Sequence, residues 1–223
     1  IGLELLHSAN QTYASLDQKE PETLHQFRVS LQRLMVLFKF YGPRAKIPRA
    51  KSLVKQIRAI SKSTNSNRDF DVHIKLLEER ARPLKRSDND MRIQGFNIFL
   101  EELKAQERVS LTDVTIPYKV RSFPKLSKKI AKSLATSKTA RESIEELAHD
   151  ILVYEMGQFQ AAMAKVGSIE DVKKAHRARL IVKNIRYLSE PIIKKNQSYR
   201  ATLKTLITLQ KTMGKLHDLQ LLE

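Results

Sequence analysis

The sequence predicts an all-α fold with an internal duplication: two antiparallel helical bundles related by a pseudo-two-fold axis, with a central basic groove or pore. Three observations lead to this prediction. Apolar residues recur every three or four positions, which is the spacing of a helix face rather than a strand. Glycine occurs only six times in 223 residues. Two segments with matched basic residues each occur twice, which indicates a repeat.

Helices are predicted over most of the chain. Start signals support three of them: Pro21 at the opening of one helix, and Thr139 with Glu142 and Ser168 with Asp171, both pairs near capping-box spacing. We predict helices at about 2–16, 22–41, 46–63, 69–82, 88–109, 125–136, 140–165, 170–190 and 198–213, and from 215 onward.

A linker is predicted near the middle of the chain. Val114–Val120 is the one stretch with strand-like alternation, and Pro117 and Pro124 lie nearby. Proline interrupts helices, so this stretch separates two helical halves. The single predicted domain then comprises a first bundle, a linker and a second bundle at residues 1–110, 111–124 and 125–223.

The charge predicts a polyanionic partner. Lysine and arginine number 41 and aspartate and glutamate 24, which gives a net charge of +17. Both halves are basic, with 20 cations against 13 acids in 1–110 and 21 against 11 in 111–223. A hydrophobic content of 41% excludes a disordered basic tail. The absence of cysteine excludes disulfides, cysteine–zinc sites and thiol catalysis.

The first repeated element is a helix with a basic face and an apolar face. A shift of 151 residues aligns His25 with His176, Arg28 with Arg179, and Gln32 with Lys183. It also aligns Leu24, Phe27, Leu31 and Leu34 with Ala175, Ala178, Val182 and Ile185. His176, Arg179, Lys183 and Arg186 form a row on one helix face, and no glutamate interrupts it. Neighbouring cations repel each other, so such a row favours an anionic ligand.

The second repeated element follows at a shift of 149 residues. It aligns Lys51, Lys55, Lys62, Arg68 and Asp69 with Arg200, Lys204, Lys211, His217 and Asp218. On each helix the cations share one face: Lys51, Lys55, Arg58 and Lys62 in the first copy, and Arg200, Lys204, Lys211 and Lys215 in the second. Four such helices facing one axis would line a groove with cations, which would concentrate anions.

These motifs resemble the CHAD family, the conserved histidine α-helical domain. The matching segments, in chain order, are 24–34, 68–72, 176–190 and 213–219. The resemblance covers essentially the whole chain. It implies one CHAD-like domain of two four-helix bundles with a basic cavity that binds inorganic polyphosphate without catalysis. Gln32, Met35 and Asn184 stand where the family has basic residues, so we expect the second copy to be the stronger anion site.

We therefore predict a non-catalytic polyphosphate-binding protein with no cofactor and no metal site. Arginine offers a rigid fork to phosphate oxygens, lysine offers a mobile charge, and histidine gains charge as the pH falls towards about 6.5. The predicted binding residues are His25, Arg28, Arg33, Lys39, Lys51, Lys55, Arg58, Lys62, Arg68, His176, Arg179, Lys183, Arg186, Arg200, Lys204, Lys211, Lys215 and His217. The predicted orienting residues are Asp69, Asp218, Tyr187 and Glu190.

Three other interpretations of the basic rows are possible. A nucleic-acid-binding helical protein also fits the charge, but an aromatic content of 6% and the absence of tryptophan do not favour base stacking. A membrane partner is not expected, because the apolar arcs are needed for the core. A single lysine row is usually only a solvated helix face. We expect a cytoplasmic protein, associated with polyphosphate-containing granules, with core residues Phe27, Phe38, Phe96, Phe99 and Phe159.

Overall fold

The computed structural model confirms the all-helical class. It describes residues 1–18, 21–64, 74, 77–78, 91–112, 118–136, 144–168, 170–195 and 200–220, and it contains no strand within them. The predicted helix at 69–82 falls almost wholly outside the described residues, as do Arg68 and Asp69. The internal duplication and the central groove stay predictions.

The helices follow one another with short connections. In chain order they are α1 (Gly2–Ala14), α2 (Pro21–Val36), α3 (Gly42–Arg44), α4 (Ala50–Lys62), α5 (Met91–Thr112), α6 (Tyr118–Arg121), α7 (Phe123–Ala135), α8 (Ile144–Met163), α9 (Val172–Lys195) and α10 (Arg200–Gln220). A 3₁₀ turn, Ser15–Gln18, follows α1, and a π-helical segment, Leu37–Tyr41, joins α2 to α3.

The helix predicted at 46–63 starts four residues later than predicted. Lys46 and Arg49 have φ angles of 49° and 59°, in the left-handed region, so regular helix begins only at Ala50. The turn before it is tight: a Cβ on Gly42 would lie 2.6 Å from the Cβ of Ala50. Only glycine therefore permits this approach of the chain at position 42.

Two other predicted boundaries are also corrected. A helix end was predicted at Gly214, but α10 continues through this buried residue without a break. Part of the predicted 111–124 linker is helical, because α6 and the start of α7 lie inside it. The strand-like alternation of Val114–Val120 ends in helix at residues 118–120, and residues 113–117 lie outside the described part.

The chain forms two compact units. Unit 1 comprises Ile1–Leu5, Arg33–Val54 and Ile130–Glu223, and unit 2 comprises Leu6–Gln32 and Lys55–Lys129. Each unit is thus built from segments distant in sequence. The division of the domain into halves at 111–124 stays a prediction.

The core of unit 1 is built around α9. This helix packs against both α8 and α10, and its residues Ala178, Ile185 and Leu188 are fully or almost fully buried. The π-helical segment contacts α8, and its residue Tyr41 donates a hydrogen bond from Oη to the carbonyl of Leu188, 3.3 Å away. Burial raises the pKa of Tyr41 to about 12, so this donor keeps its proton.

Three aromatic rings form the centre of unit 2. The Phe27 and Phe123 rings meet edge to face with centroids 5.0 Å apart, and the Tyr13 ring lies 5.7 Å from the first and 5.3 Å from the second. Both phenylalanines are fully buried. The Ser127 hydroxyl on α7 donates a 2.8 Å hydrogen bond to Asn10 Oδ1 on α1, which joins two helices of this unit.

The expected phenylalanine core is partly corrected. Phe27 and Phe38 are buried, as predicted, and Phe96 and Phe159 are half-buried. The prediction that Phe99 belongs to the core is wrong, because this residue is 51% exposed. On α5 the inner face is set by Leu100, and Phe99 precedes it by about 100° around the helix.

None of the helices in the described ranges combines the length and the apolar character needed to cross a bilayer.

Truncation of Phe27 to alanine is expected to destabilise the protein by about 3–5 kcal/mol, because it removes a ring from a fully packed aromatic cluster. Urea denaturation followed by circular dichroism measures the change. Phe99→Ala is the matched control, since an exposed side chain should cost less than about 0.5 kcal/mol. Equal losses for both variants would contradict the described packing.

Candidate anion-binding site

The basic row predicted for the second copy lies on one half-buried face of α9. Its members are His176, Arg179, Lys183 and Arg186. The helix is regular here because residues 172–190 contain neither glycine nor proline. On another side of the helix, Ala178 and Ile185 are buried, as are Phe27 and Leu34 at the positions that the repeat aligns with them. We call these four basic residues the α9 row.

A glutamate ends the α9 row and holds two arginines. Arg33 Nε lies 2.7 Å from Glu190 Oε2, and Arg186 Nε lies 3.4 Å from Glu190 Oε1. Both guanidinium groups also lie over the ring of Tyr187, at 5.9 Å and 5.2 Å from its centroid. Tyr187 is buried, so it forms a fixed platform for both cations.

The sequence contained a signal for this contact that the repeat did not use. Glu190 follows His176 by fourteen residues, which returns a helix to nearly the same face. The row is thus free of glutamate only as far as Arg186. The orienting role predicted for Tyr187 and Glu190 stays a prediction, but their contacts with two arginines are now described.

The shared carboxylate leaves this cluster positively charged. Burial lowers the pKa of Arg33, but the hydrogen bond and the charge of Glu190 raise it by more, so its pKa lies above the usual value. Arg33, Arg186 and Glu190 are 30%, 22% and 16% exposed at their side chains. Two guanidinium groups and one carboxylate therefore give a net charge of +1 at the edge of solvent.

The α9 row also contacts α10. Arg186 Nη1 donates a 3.2 Å hydrogen bond to Gln210 Oε1. The Arg179 guanidinium lies against Gly214, where a Cβ would be 3.8 Å from its Nε and 3.9 Å from its Nη2. These distances are ordinary van der Waals contacts, so the Arg179 guanidinium packs closely on α10 at residue 214. Gln210 was not predicted, since a neutral amide gives no signal in a search for charge.

Arg28, which the predicted repeat aligns with Arg179, contacts the end of a neighbouring helix in unit 2. Arg28 Nη1 donates hydrogen bonds to the carbonyl of Ser61, at 3.1 Å, and to Thr64 Oγ1, at 2.6 Å. These groups lie at the C-terminal end of α4, where a cation also interacts favourably with the helix dipole. Arg28 thus caps α4, and Arg179, the residue that the predicted repeat aligns with it, contacts α10.

The remaining predicted residues differ in exposure. Lys51, Lys55, Arg58 and Lys62 are exposed along one face of α4, while Leu53, Ile57 and Ile60 are buried on the other. Lys204 and Lys211 are exposed on α10, and His25 is half-buried on α2. The side chains of Arg200, Lys215, His217 and Asp218 on α10 lie outside the described residues.

Lys39, one of the predicted binding residues, does not lie on the regular helix α2. It lies in the π-helical segment, whose wider turns end the 3.6-residue periodicity at Val36. Its side chain is exposed, with Nζ 4.3 Å from the centroid of the Phe40 ring. Its charge also acts on Glu155 of α8, an acid that the sequence analysis did not identify.

The fold and these contacts define an all-helical protein with cationic rows on several helices. The chain matches the family model of the CHAD domain over residues 3–223 and belongs to this family. The resemblance drawn from the repeated motifs is confirmed. No curated protein and no solved structure gives a significant match to the chain.

Replacement of Glu155 by glutamine is expected to stabilise the protein at neutral pH, because a neutral amide avoids the cost of a buried charge. The side chain is only 6% exposed, and burial raises its pKa, although the charge of Lys39 and a hydrogen bond with Asn184 act against this. The folded protein therefore binds this proton more tightly than the unfolded chain does. The contribution of Glu155 to the free energy of unfolding is therefore greatest below pH 4.5, the usual pKa, and is lost as the pH rises through the folded-state pKa.

Urea denaturation of both proteins at neutral pH and near the usual glutamate pKa measures this difference. The advantage of the glutamine variant should shrink in acid, where the wild-type carboxyl is also protonated. A stability difference of the same size at both pH values would contradict a raised pKa.

Proposed function

We propose that this protein binds inorganic polyphosphate through the α9 row and Arg33, and that it does not cleave its ligand. The observation that supports the proposal best is the pair of half-buried guanidinium groups that share one carboxylate. Their orientation is set before a ligand arrives by Glu190 and by the ring of Tyr187. Because one carboxylate cannot neutralise both, the cluster retains attraction for an anion.

The spacing of the cations fits a linear chain of phosphates better than a single anion. Members of the α9 row are three or four residues apart, which places successive charges about 5 Å apart along the axis. A ligand that offers one negative charge at each step can meet several of them together. Membership of the CHAD family and the net charge of +17 support the same ligand class.

We also propose that the protein does not catalyse the hydrolysis of polyphosphate. The acidic residues are scattered in the sequence, and no glycine-rich phosphate-binding motif is present. Hydrolysis of a phosphoanhydride needs a metal-binding acid cluster or an activated nucleophile. Incubation with long-chain polyphosphate and Mg²⁺ should therefore release no orthophosphate.

We also propose that the protein works in the cytoplasm, on polyphosphate-containing granules.

The double substitution Arg179→Ala with Arg186→Ala is expected to weaken polyphosphate binding at least about tenfold, or about 1.4 kcal/mol. The two arginines offer planar donor forks that a smaller side chain cannot replace. Isothermal titration with long-chain polyphosphate, with the helix content and the melting temperature checked by circular dichroism, measures the effect.

Arg44→Ala with Arg177→Ala is the matched control. It removes the same charge from two exposed arginines that lie outside the α9 row. A second variant, Arg179→Lys with Arg186→Lys, keeps the charge and loses only the forks. Wild-type affinity in the variant without Arg179 and Arg186 would refute the proposed site. An equal loss of affinity in the control would show that only the total charge matters.

Polyphosphate binding is expected to strengthen as the pH falls from about 8 to about 6, because imidazole gains its charge in this range. His25 and His176 are half-buried at equivalent repeat positions. The double variant His25→Ala with His176→Ala should give a flatter profile. The control His7→Ala with His149→Ala, at exposed histidines, should keep the wild-type profile. Identical profiles for all three proteins would remove the role of the repeat histidines.

A further inference from the structure

A row of lysines on α7 was not among the predicted binding residues. Lys125, Lys128 and Lys129 are all exposed, and their spacing of three and four residues places them on one face of the helix. Phe123 and Leu126 are buried on its other side. These lysines lie outside the two predicted repeated elements, so the repeat gave no signal for them.

The α7 row lies next to the basic face of α4, and both belong to unit 2. Lys129 Nζ donates a 3.4 Å hydrogen bond to Gln56 Oε1, so α7 contacts α4 directly. Gln56 follows Lys55 and precedes Arg58 by two residues, which places the two rows side by side. The surface formed by Lys55, Arg58, Lys62, Lys125, Lys128 and Lys129 is called here the α4–α7 face.

The α4–α7 face has an unbalanced charge. Across the described part of the chain, none of its six cations forms an ion pair with a carboxylate. Like charges at this spacing repel each other by a few tenths of a kcal/mol per pair. An anionic chain lying across both helices would remove this repulsion and release its own counterions.

We propose that the α4–α7 face is itself a binding site for long-chain polyphosphate, and that it makes the affinity depend on chain length. The inference rests on the proposed function. Its six side chains offer charge and N–H donors and include no aromatic ring to stack on a base, which favours a ligand without bases. The inner sides of α4 and α7 are buried, so the face has no apolar strip for a lipid surface.

The test uses the full chain with Lys125→Gln, Lys128→Gln and Lys129→Gln combined, titrated with long-chain polyphosphate and with tripolyphosphate. The long-chain affinity should fall about tenfold. The slope of its logarithm against the logarithm of the salt concentration should decrease in size by about 2, since three phosphate contacts are lost. The affinity for tripolyphosphate should not change, because the α9 row is intact in this variant and a chain of three phosphates needs only a few of its cations.

The matched control is Lys46→Gln with Lys165→Gln and Lys173→Gln, which removes three charges from exposed lysines of unit 1. It should leave the long-chain affinity and the salt slope close to wild type. Melting curves establish that both triple variants are folded, as expected for exposed positions.

The outcomes separate the two levels of the proposal. A wild-type protein that binds neither polyphosphate would refute the proposed function, and this inference with it. If the variant with the three glutamines on α7 binds long-chain polyphosphate and tripolyphosphate as tightly as the wild type, this inference is overturned and the proposed function is not affected. The inference is also overturned if the variant loses affinity only for single-stranded nucleic acid, or if the control triple loses as much long-chain affinity.

Discussion

The candidate site depends on the shared carboxylate of Glu190. Positive side chains placed together at a half-buried position repel one another and lose hydration, so they need a counter-charge that does not cancel them. One carboxylate between Arg33 and Arg186 meets this requirement. It fixes two guanidinium groups, keeps Arg33 charged, and still leaves positive charge for a ligand. An additional acid at this place would stabilise the fold further but would compete with any anion.

Much of the fold could be predicted because helical periodicity is a local property. The burial of Phe27 and Leu34 in α2, and of Ala178 and Ile185 in α9, follows directly from their spacing. The predictions that failed concern positions whose backbone conformation is set by contacts with distant parts of the chain. Gly214 was interpreted as a helix end, yet it lies inside α10 against the Arg179 side chain. Lys46 and Arg49 adopt left-handed backbone angles that no helix propensity indicates.

The candidate site was predictable as a set of charges with Tyr187 and Glu190 beside them, but its other partners were not. The repeat identified the α9 row and the α4 face, because charge at a regular spacing is visible in a sequence. The groups that orient these charges are neutral or lie far away in the chain: Gln210 for Arg186, and Thr64 and the Ser61 carbonyl for Arg28. A search limited to cations also overlooked Glu155, which is buried near Lys39.

The π-helical segment Leu37–Tyr41 has a consequence for how this chain is compared with its relatives. Such a segment corresponds to one extra residue inserted into an α-helix. The wider turn absorbs the extra residue, so a relative without it would carry each later position of the helix one residue earlier in its chain. An alignment with such a relative would open a one-residue gap within 37–41. Numbering carried across that gap without correction would equate Tyr41 with a residue on a different side of the helix.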